Sequence, residues 1–455
     1  MSRCALHYVI ACALQRGIGF VLLPLSGHLL SATAFGQMGL LTALANGLSI
    51  VAGLGLAETA QRFGHRPNYW ASIEATAGRW FCCWLLGLPL MPMMAAWLPG
   101  VLQPWWLWML WLNLGLGALL GLRLMQLRWL GCSAAYLKLV ALWALGQLSG
   151  SALALGAGWG VGGMMAMGLV ATAMALFGLQ GGWVVQLSAQ ARHIKKPLWS
   201  LLRYGLPLCA CSALALVFAG YERWWLAQYE GVVTLSGYVL MGQLALLPIV
   251  LTEPFNLWWF PKRFALAARE QRNTLAEYSV GAIQGLAIAT LLLGWTLPWL
   301  VTWLLPAHFA DALPLLPGLL LASFWRQCAA VINFGVYYQV SGHLPLLLNA
   351  LVALPALGLV PWVIATAGSN GLVPLLVGLM VVRAGLFWWV SQRCYALPYH
   401  AGRLGGALGL TCIVLWLQQP WAYLISIGGV LLSVPWATLM TANLTQQPMV
   451  EELKE

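Results

Sequence analysis

The sequence predicts an all-α polytopic membrane protein, and three observations predict it. Of 455 residues, 61% are hydrophobic and 7% charged, whereas an ordinary soluble domain is about 25% charged. The 22 Lys and Arg and 11 Asp and Glu side chains cannot cover a water-soluble surface of this size without leaving large apolar patches. Apolar runs of roughly 20 residues, the length that crosses a hydrocarbon core of about 30 Å, follow one another with short breaks along the chain. Lys and Arg collect in alternate connections, as they do where short loops stay in the cytoplasm. Lipid is therefore the solvent for most of the chain.

The elements follow in order. Arg3 is succeeded by apolar residues from Cys4 to Leu25, longer than a signal peptide's apolar region and continuous with further membrane sequence, so a retained first span is expected. Runs broken by Gly, Pro or charge place spans near 5–27, 37–56, 80–98, 104–122, 132–155 and 160–185. The segment 186–203, with His193, Ile194, Lys195 and Lys196, reads as an interfacial linker between two halves. A second set lies near 204–226, 234–256, 278–304, 314–338, 344–366 and 370–391, and a final pair near 404–418 and 421–440. About fourteen transmembrane helices result, organised as a six-helix lobe (1–190), a second six-helix lobe (191–400), an extra helix pair (401–445) and a solvated cytoplasmic tail (446–455).

The charge distribution orients this arrangement. One side receives Arg3, then Arg62, Arg66 and Arg79, then Arg123, Arg128 and Lys138, then Arg192, Lys195, Lys196 and Arg203. The same side takes Lys262, Arg263, Arg269 and Arg272, then Arg393 and Arg403, and Lys454. The connections around Ser31, Gly100, Gly158, His308, Gly368 and Gln419 hold neither Lys nor Arg; only Arg223 lies near that face. Both termini are thus expected in the cytoplasm. Loop charges of this kind lie against anionic headgroups and account for the net charge of +11, which leaves nucleic-acid binding without support. Each half starts inside and has an even number of spans, so the halves are expected to be parallel repeats about the membrane normal. Leu30–Gly36 (LSATAFG) after the first span and Leu226–Tyr238 (LAQYEGVVTLSGY) after the seventh echo one another.

Several chemistries are excluded. No Lys follows a Gly, so no Walker A loop is present, and there is no HExxH motif. Seven histidines are scattered at span ends and loops, and the ten cysteines form no CxxC pair. Buried cysteines acting as small hydrophobes are the simpler reading, and neither metal nor cofactor is assigned. A glycan polymerase or ligase would carry a long outer loop with catalytic residues, and the outer connections here are short.

The informative residues are charges that the topology places deep in the membrane. Arg16 stands midway along the first span, Arg326 midway along the tenth and Arg383 near the middle of the twelfth, whereas Glu58 and Glu253 fall near cytoplasmic span ends. Each such Arg costs about 2.5–3.5 kcal/mol on insertion scales. A single one can be satisfied by backbone carbonyls or by snorkelling. Three together suit a water-filled cavity that receives an anion, because the guanidinium fork binds phosphate bidentately and keeps its charge. Gln15, Asn46 and Gln327 are candidates to line that cavity, as are Asn113, Gln147, Gln180, Gln243, Asn256 and Asn333, although amides in spans also serve as interhelical glue. Glu222 and Arg223, near the outer end of the seventh span, form a candidate gating pair. The 27 tryptophans cluster at span ends, where interfacial anchoring explains them.

Two stretches resemble a family. Leu29–Arg62, with its Phe35-Gly36 turn, Gly53-Leu54-Gly55 end and following Arg62, resembles the first helical hairpin of Wzx-type polysaccharide flippases. Tyr204 to Pro207, Glu222-Arg223 where that family often has Asp-Arg, Ser236 to Tyr238 and Pro254 to Trp258 extend the likeness. The resemblance implies a multidrug/oligosaccharidyl-lipid/polysaccharide exporter fold, MATE-like, with two six-helix lobes and an extra helix pair. It implies movement of an undecaprenyl-pyrophosphate-linked oligosaccharide across the bacterial inner membrane for O-antigen or similar synthesis, alongside a glycan polymerase of the same pathway. Arg16, Arg326 and Arg383 are then expected to receive the pyrophosphate. The rival within the superfamily is an ion-coupled multidrug antiporter, expected to carry a midplane Asp or Glu.

Overall fold

The computed structural model describes residues 3–63, 67–91, 93, 102–179, 182–183, 205–206, 209–210, 212–218, 220–338 and 343–434, and every regular element among them is a helix. Nine helices among the described residues are long and apolar enough to cross a membrane. The chain is an all-α polytopic membrane protein. The linker expected at 186–203 and the tail at 446–455 lie outside the described residues.

The helices are α1 (Arg3–Leu29), α2 (Ala32–Gly53), α3 (Leu56–Phe63), α4 (Pro67–Leu85), α5 (Pro104–Trp129), α6 (Ser133–Gly156) and α7 (Gly160–Ala173), which ends in a π turn at Met174–Gly178. There follow α8 (Tyr221–Tyr229), α9 (Gly231–Leu244), α10 (Leu247–Ala268), α11 (Arg272–Leu304), a 3-10 segment (Ala307–Leu315), α12 (Leu316–Ile332) and α13 (Phe334–Tyr338). The last are α14 (His343–Cys394), broken at Gly368, α15 (Ala401–Leu417) and α16 (Pro420–Ser433). The chain divides into a first unit of Met1–Leu244, Pro298–Leu316 and Gly342–Leu379, and a second of Ala245–Leu297, Pro317–Ser341 and Met380–Glu455.

In the first unit, Ser31 begins α2 as its N-cap, its hydroxyl accepting from the Ala34 amide at 3.2 Å, which satisfies one of the helix's orphan donors. At the other end Leu54 adopts a left-handed conformation and its N–H returns to Ile50 O at 3.1 Å. Gly55 follows at φ 64° and lies so close to Gly205 that a Cβ would meet its carbonyl oxygen at 2.6 Å. The core of this unit gathers Ala11, Ile18 and Leu22 of α1, Ile73 of α4, Leu119 of α5 and Leu139, Val140 and Ala144 of α6. Tyr8 meets Tyr136 edge to face at 5.2 Å.

In the second unit Ile283, Leu286 and Ala287 of α11 pack with Phe324 and Cys328 of α12, Ala407 of α15 and Val430 of α16. The final helix pair is also tied in by the buried Gln284, which donates to Ser433 Oγ at 2.7 Å.

Several elements depart from the expected boundaries. α4 runs Pro67–Leu85, where a span was expected from 80. Pro67 fits a helix's first turn, and the carboxylate of Glu74 accepts from Gln126 and Trp183. The span expected at 234–256 is interrupted after Leu244 and resumes at Leu247, because Pro248 removes an amide and its ring clashes with the carbonyl four residues back. The span expected at 314–338 begins as a 3-10 segment and breaks at Asn333.

Candidate functional site

The second unit brings two of the expected arginines together. Arg326 stands on α12 and Arg383 on the second half of α14, near enough for their charges to act on one another, with the Tyr337 hydroxyl acting on Arg383 as well. The register of the two helices explains the match. Gly335 N–H donates to Ser391 Oγ at 2.8 Å, and a Cβ on Gly335 would run into the Ser391 backbone. Arg326 lies nine residues before Gly335 and Arg383 eight before Ser391, so the contact joins the two segments at similar sequence distances from the arginines. Both side chains are half-buried, and Arg383 lies over the Phe387 ring at 5.1 Å. Gln327 is buried beside Arg326. Two like charges held close outside bulk water raise each other's energy, and an anion between them relieves it.

A third guanidinium of this unit was read from sequence as a loop charge. Arg263 is 3% exposed within α10. Its Nη1 donates to Asn333 Oδ1 at 3.1 Å, and it lies over the Phe334 ring at 5.8 Å. Arg263 lies beyond the apolar stretch that ends at Thr252. Burial draws it down to about 10, with the Tyr337 and Tyr399 hydroxyls acting the other way, so it stays charged at neutral pH. Its pairing depends on Asn333, seventy residues on, which no local pattern announces.

Arg16, Gln15 and Asn46 belong to the first unit. The buried face of α1 is set by Ala11, Ile18 and Leu22, and Gln15 and Arg16 are exposed on the remainder of the helix. Asn46 is likewise exposed on α2. Asn113, by contrast, accepts from Thr172 Oγ1 at 3.0 Å and joins α5 to α7, the glue role.

Glu222 and Arg223 sit in a seam of the first unit. Glu222 is 4% exposed; its carboxylate accepts from Gly220 N–H at 2.9 Å and from Tyr238 OH at 3.5 Å, with Arg223 Nε 4.0 Å away. Arg223 reaches past it to donate to Gly39 O on α2 at 3.2 Å. There α2 meets α9 closely: a Cβ on Gly39 would meet Val239 at 2.6 Å, and one on Gly36 would run into the Val232 carbonyl. Phe35, fully buried, packs edge to face on Phe309 at 5.3 Å, and His28 Nε2 lies 2.8 Å from Leu304 O. This is the end of the unit whose connections lack Lys and Arg. Beside it, Glu230 accepts from Ser369 N–H at 2.6 Å, where α14 breaks at Gly368 with φ 63°.

One buried carboxylate was not among the expected residues. Glu74 of α4 is 5% exposed and accepts from Gln126 Nε2 at 2.7 Å and Trp183 Nε1 at 2.8 Å. Gln126 in turn accepts from Arg123, whose guanidinium lies over Trp183 at 5.3 Å. Composition gave no sign of it, since the residue lies among the charges of a supposed loop.

No protein-family profile matches the chain, and no curated protein matches it. Among solved structures, a MATE crystallised in complex with Br-NRF aligns over 86% of this chain and 94% of its own, at 14% identity and a TM-score of 0.44.

Proposed function

We propose that this protein is a transporter, and specifically a flippase that carries an undecaprenyl-pyrophosphate-linked oligosaccharide across the bacterial inner membrane for surface polysaccharide synthesis. The observation that carries the reading is the pair Arg326 and Arg383, whose charges act on one another from two helices of an apolar bundle. Pyrophosphate moved bare through hydrocarbon costs far too much; guanidinium forks replace its lost water bidentately. Arg16, Gln15 and Asn46 are proposed contacts of the same ligand class in the first unit. The lipid tail stays in the bilayer while the sugar crosses in the wet path. Both termini face the cytoplasm, and a glycan polymerase of the pathway takes the product.

Alternating access requires the Lys- and Arg-free end of the first unit to open, and the Arg223–Gly39 seam is the contact that must part. Net movement requires weaker phosphate contacts in the outward state, because a ligand held equally in both states biases nothing.

The test replaces Arg16, Arg326 and Arg383 singly by Ala and by Lys in a host lacking its own flippase. Surface glycan and lipid-linked precursor are then measured at matched protein levels. Loss of glycan with accumulation of precursor is expected for Arg326 and Arg383; wild-type export from both Ala variants removes the reading.

A second reading, an ion-coupled small-molecule antiporter, is favoured by Glu74 and Glu222, carboxylates buried where a coupling cation or proton could bind. It expects substrate efflux driven by an ion gradient that Glu74→Gln or Glu222→Gln abolishes. The flippase reading expects glycan export to outlast a drug-efflux defect.

A further inference from the structure

We infer that Arg263 is a positioning residue for the phosphate site: by gripping Asn333 it fixes the height and rotation at which α12 presents Arg326 and Gln327. The inference rests on the reading that Arg326 and Arg383 bind phosphate. Three observations carry it. Arg263 is 3% exposed and therefore cannot itself be the landing point of a bulky headgroup. Its Nη1 donates at 3.1 Å to the side chain of Asn333, the residue at which α12 gives way to α13. Arg326 lies two helical turns, about 10 Å, from that break along α12.

The break is held from two sides. Arg263 of α10 holds Asn333, and Ser391 of α14 receives Gly335 N–H at 2.8 Å with no room for a side chain on the glycine. Phe334, 1% exposed between them, lies under the Arg263 guanidinium and packs edge to face on Tyr395 at 5.3 Å. Arg383 shares α14 with Ser391, so the Gly335 contact ties the end of α12 to the helix that carries Arg383, and the Arg263 bond adds a second polar tie there beside the packing of Phe324 and Cys328 on α11, α15 and α16. Bidentate phosphate binding is sensitive to such rotation, because each fork must meet its oxygens in plane. Arg263 thus acts on the ligand through Asn333 and α12.

The experiment titrates inorganic pyrophosphate into the purified full-length protein in lipid nanodiscs, following tryptophan fluorescence, since Trp325 neighbours Arg326. Arg263→Gln and Asn333→Ala are each expected to weaken binding by about 5- to 30-fold, the range a bond worth 1–2 kcal/mol commands. The double variant should be no weaker than the weaker single variant, as two halves of one contact require. Asn333→Asp, which keeps an acceptor for Arg263, should bind like wild type and melt at the wild-type temperature, so a folding defect in the other variants does not obscure the result. Wild-type affinity in Asn333→Ala, or additive losses in the double variant, overturns the positioning role while Arg326→Gln still abolishes binding. Undiminished binding by Arg326→Gln removes the phosphate reading and this inference with it.

Discussion

The Arg223 guanidinium of α8 donates to the Gly39 carbonyl of α2 at 3.2 Å, at the point where Gly39 lets α2 lie against Val239 of α9. The close approach exists because neither Gly36 nor Gly39 carries a side chain. Gly39→Val is expected to force α2 and α9 apart and cost about 1–3 kcal/mol, as overpacking does. Thermal unfolding in detergent should show a lowered midpoint. Arg223→Gln, which keeps the volume and removes the charged donor, should lower it less and leave the α2–α9 packing in place.

Gly368 and Glu230 form a second joint. The backbone at Gly368, with φ 63° and ψ −156°, is open essentially to glycine alone, and a Cβ there would run into the Glu230 carboxylate. Gly368→Ala is therefore expected to cost about 1–3 kcal/mol. Glu230→Ala removes the acceptor of the Ser369 amide and should cost roughly 0.5–2 kcal/mol, the worth of an N-cap. Unfolding midpoints measured in one lipid check both, and equal losses in the single and double variants would show that the joint acts as one unit.

Arg326 and Arg383 should not tolerate lysine. An ammonium keeps the charge and loses the planar fork, so Arg→Lys at either position is expected to reduce export by about 10-fold or more, a hydrogen bond to a charged group being worth roughly 1.5–3 kcal/mol. Surface glycan per molecule of protein is the measurement. Full activity in both Lys variants would mean that a point charge suffices and that bidentate contact is not used.

Trp84 and Trp111 stack at 3.7 Å and 6°, and each indole donates to the other's carbonyl, at 2.9 Å and 2.8 Å. Trp84→Phe and Trp111→Phe each leave a carbonyl without its partner and are expected to cost about 1–3 kcal/mol. A double-mutant cycle of Trp84→Ala and Trp111→Ala on thermal stability should show coupling, because the second substitution removes a stack already lost. Additive losses would mean the two rings contribute independently.

Amino-acid order alone fixes the medium, the helical class and the breaks that local chemistry dictates. Gly53 to Gly55 end α2 and Gly368 divides α14, because positive φ angles are set by residues within a few positions. The scarcity of charge placed Arg326 and Arg383 inside spans for the same reason: an apolar run of fixed length leaves a charge at its centre no other depth. Which polar groups meet is set by the packing of distant helices. Glu74 falls in an expected connection and Arg263 reads as a loop charge, yet both are buried: Gln126 and Trp183 donate to the one and Asn333 accepts from the other, from distant parts of the chain. A buried charge is tolerated by its partners and not by its own neighbours in sequence, and partners from distant helices are fixed by packing alone.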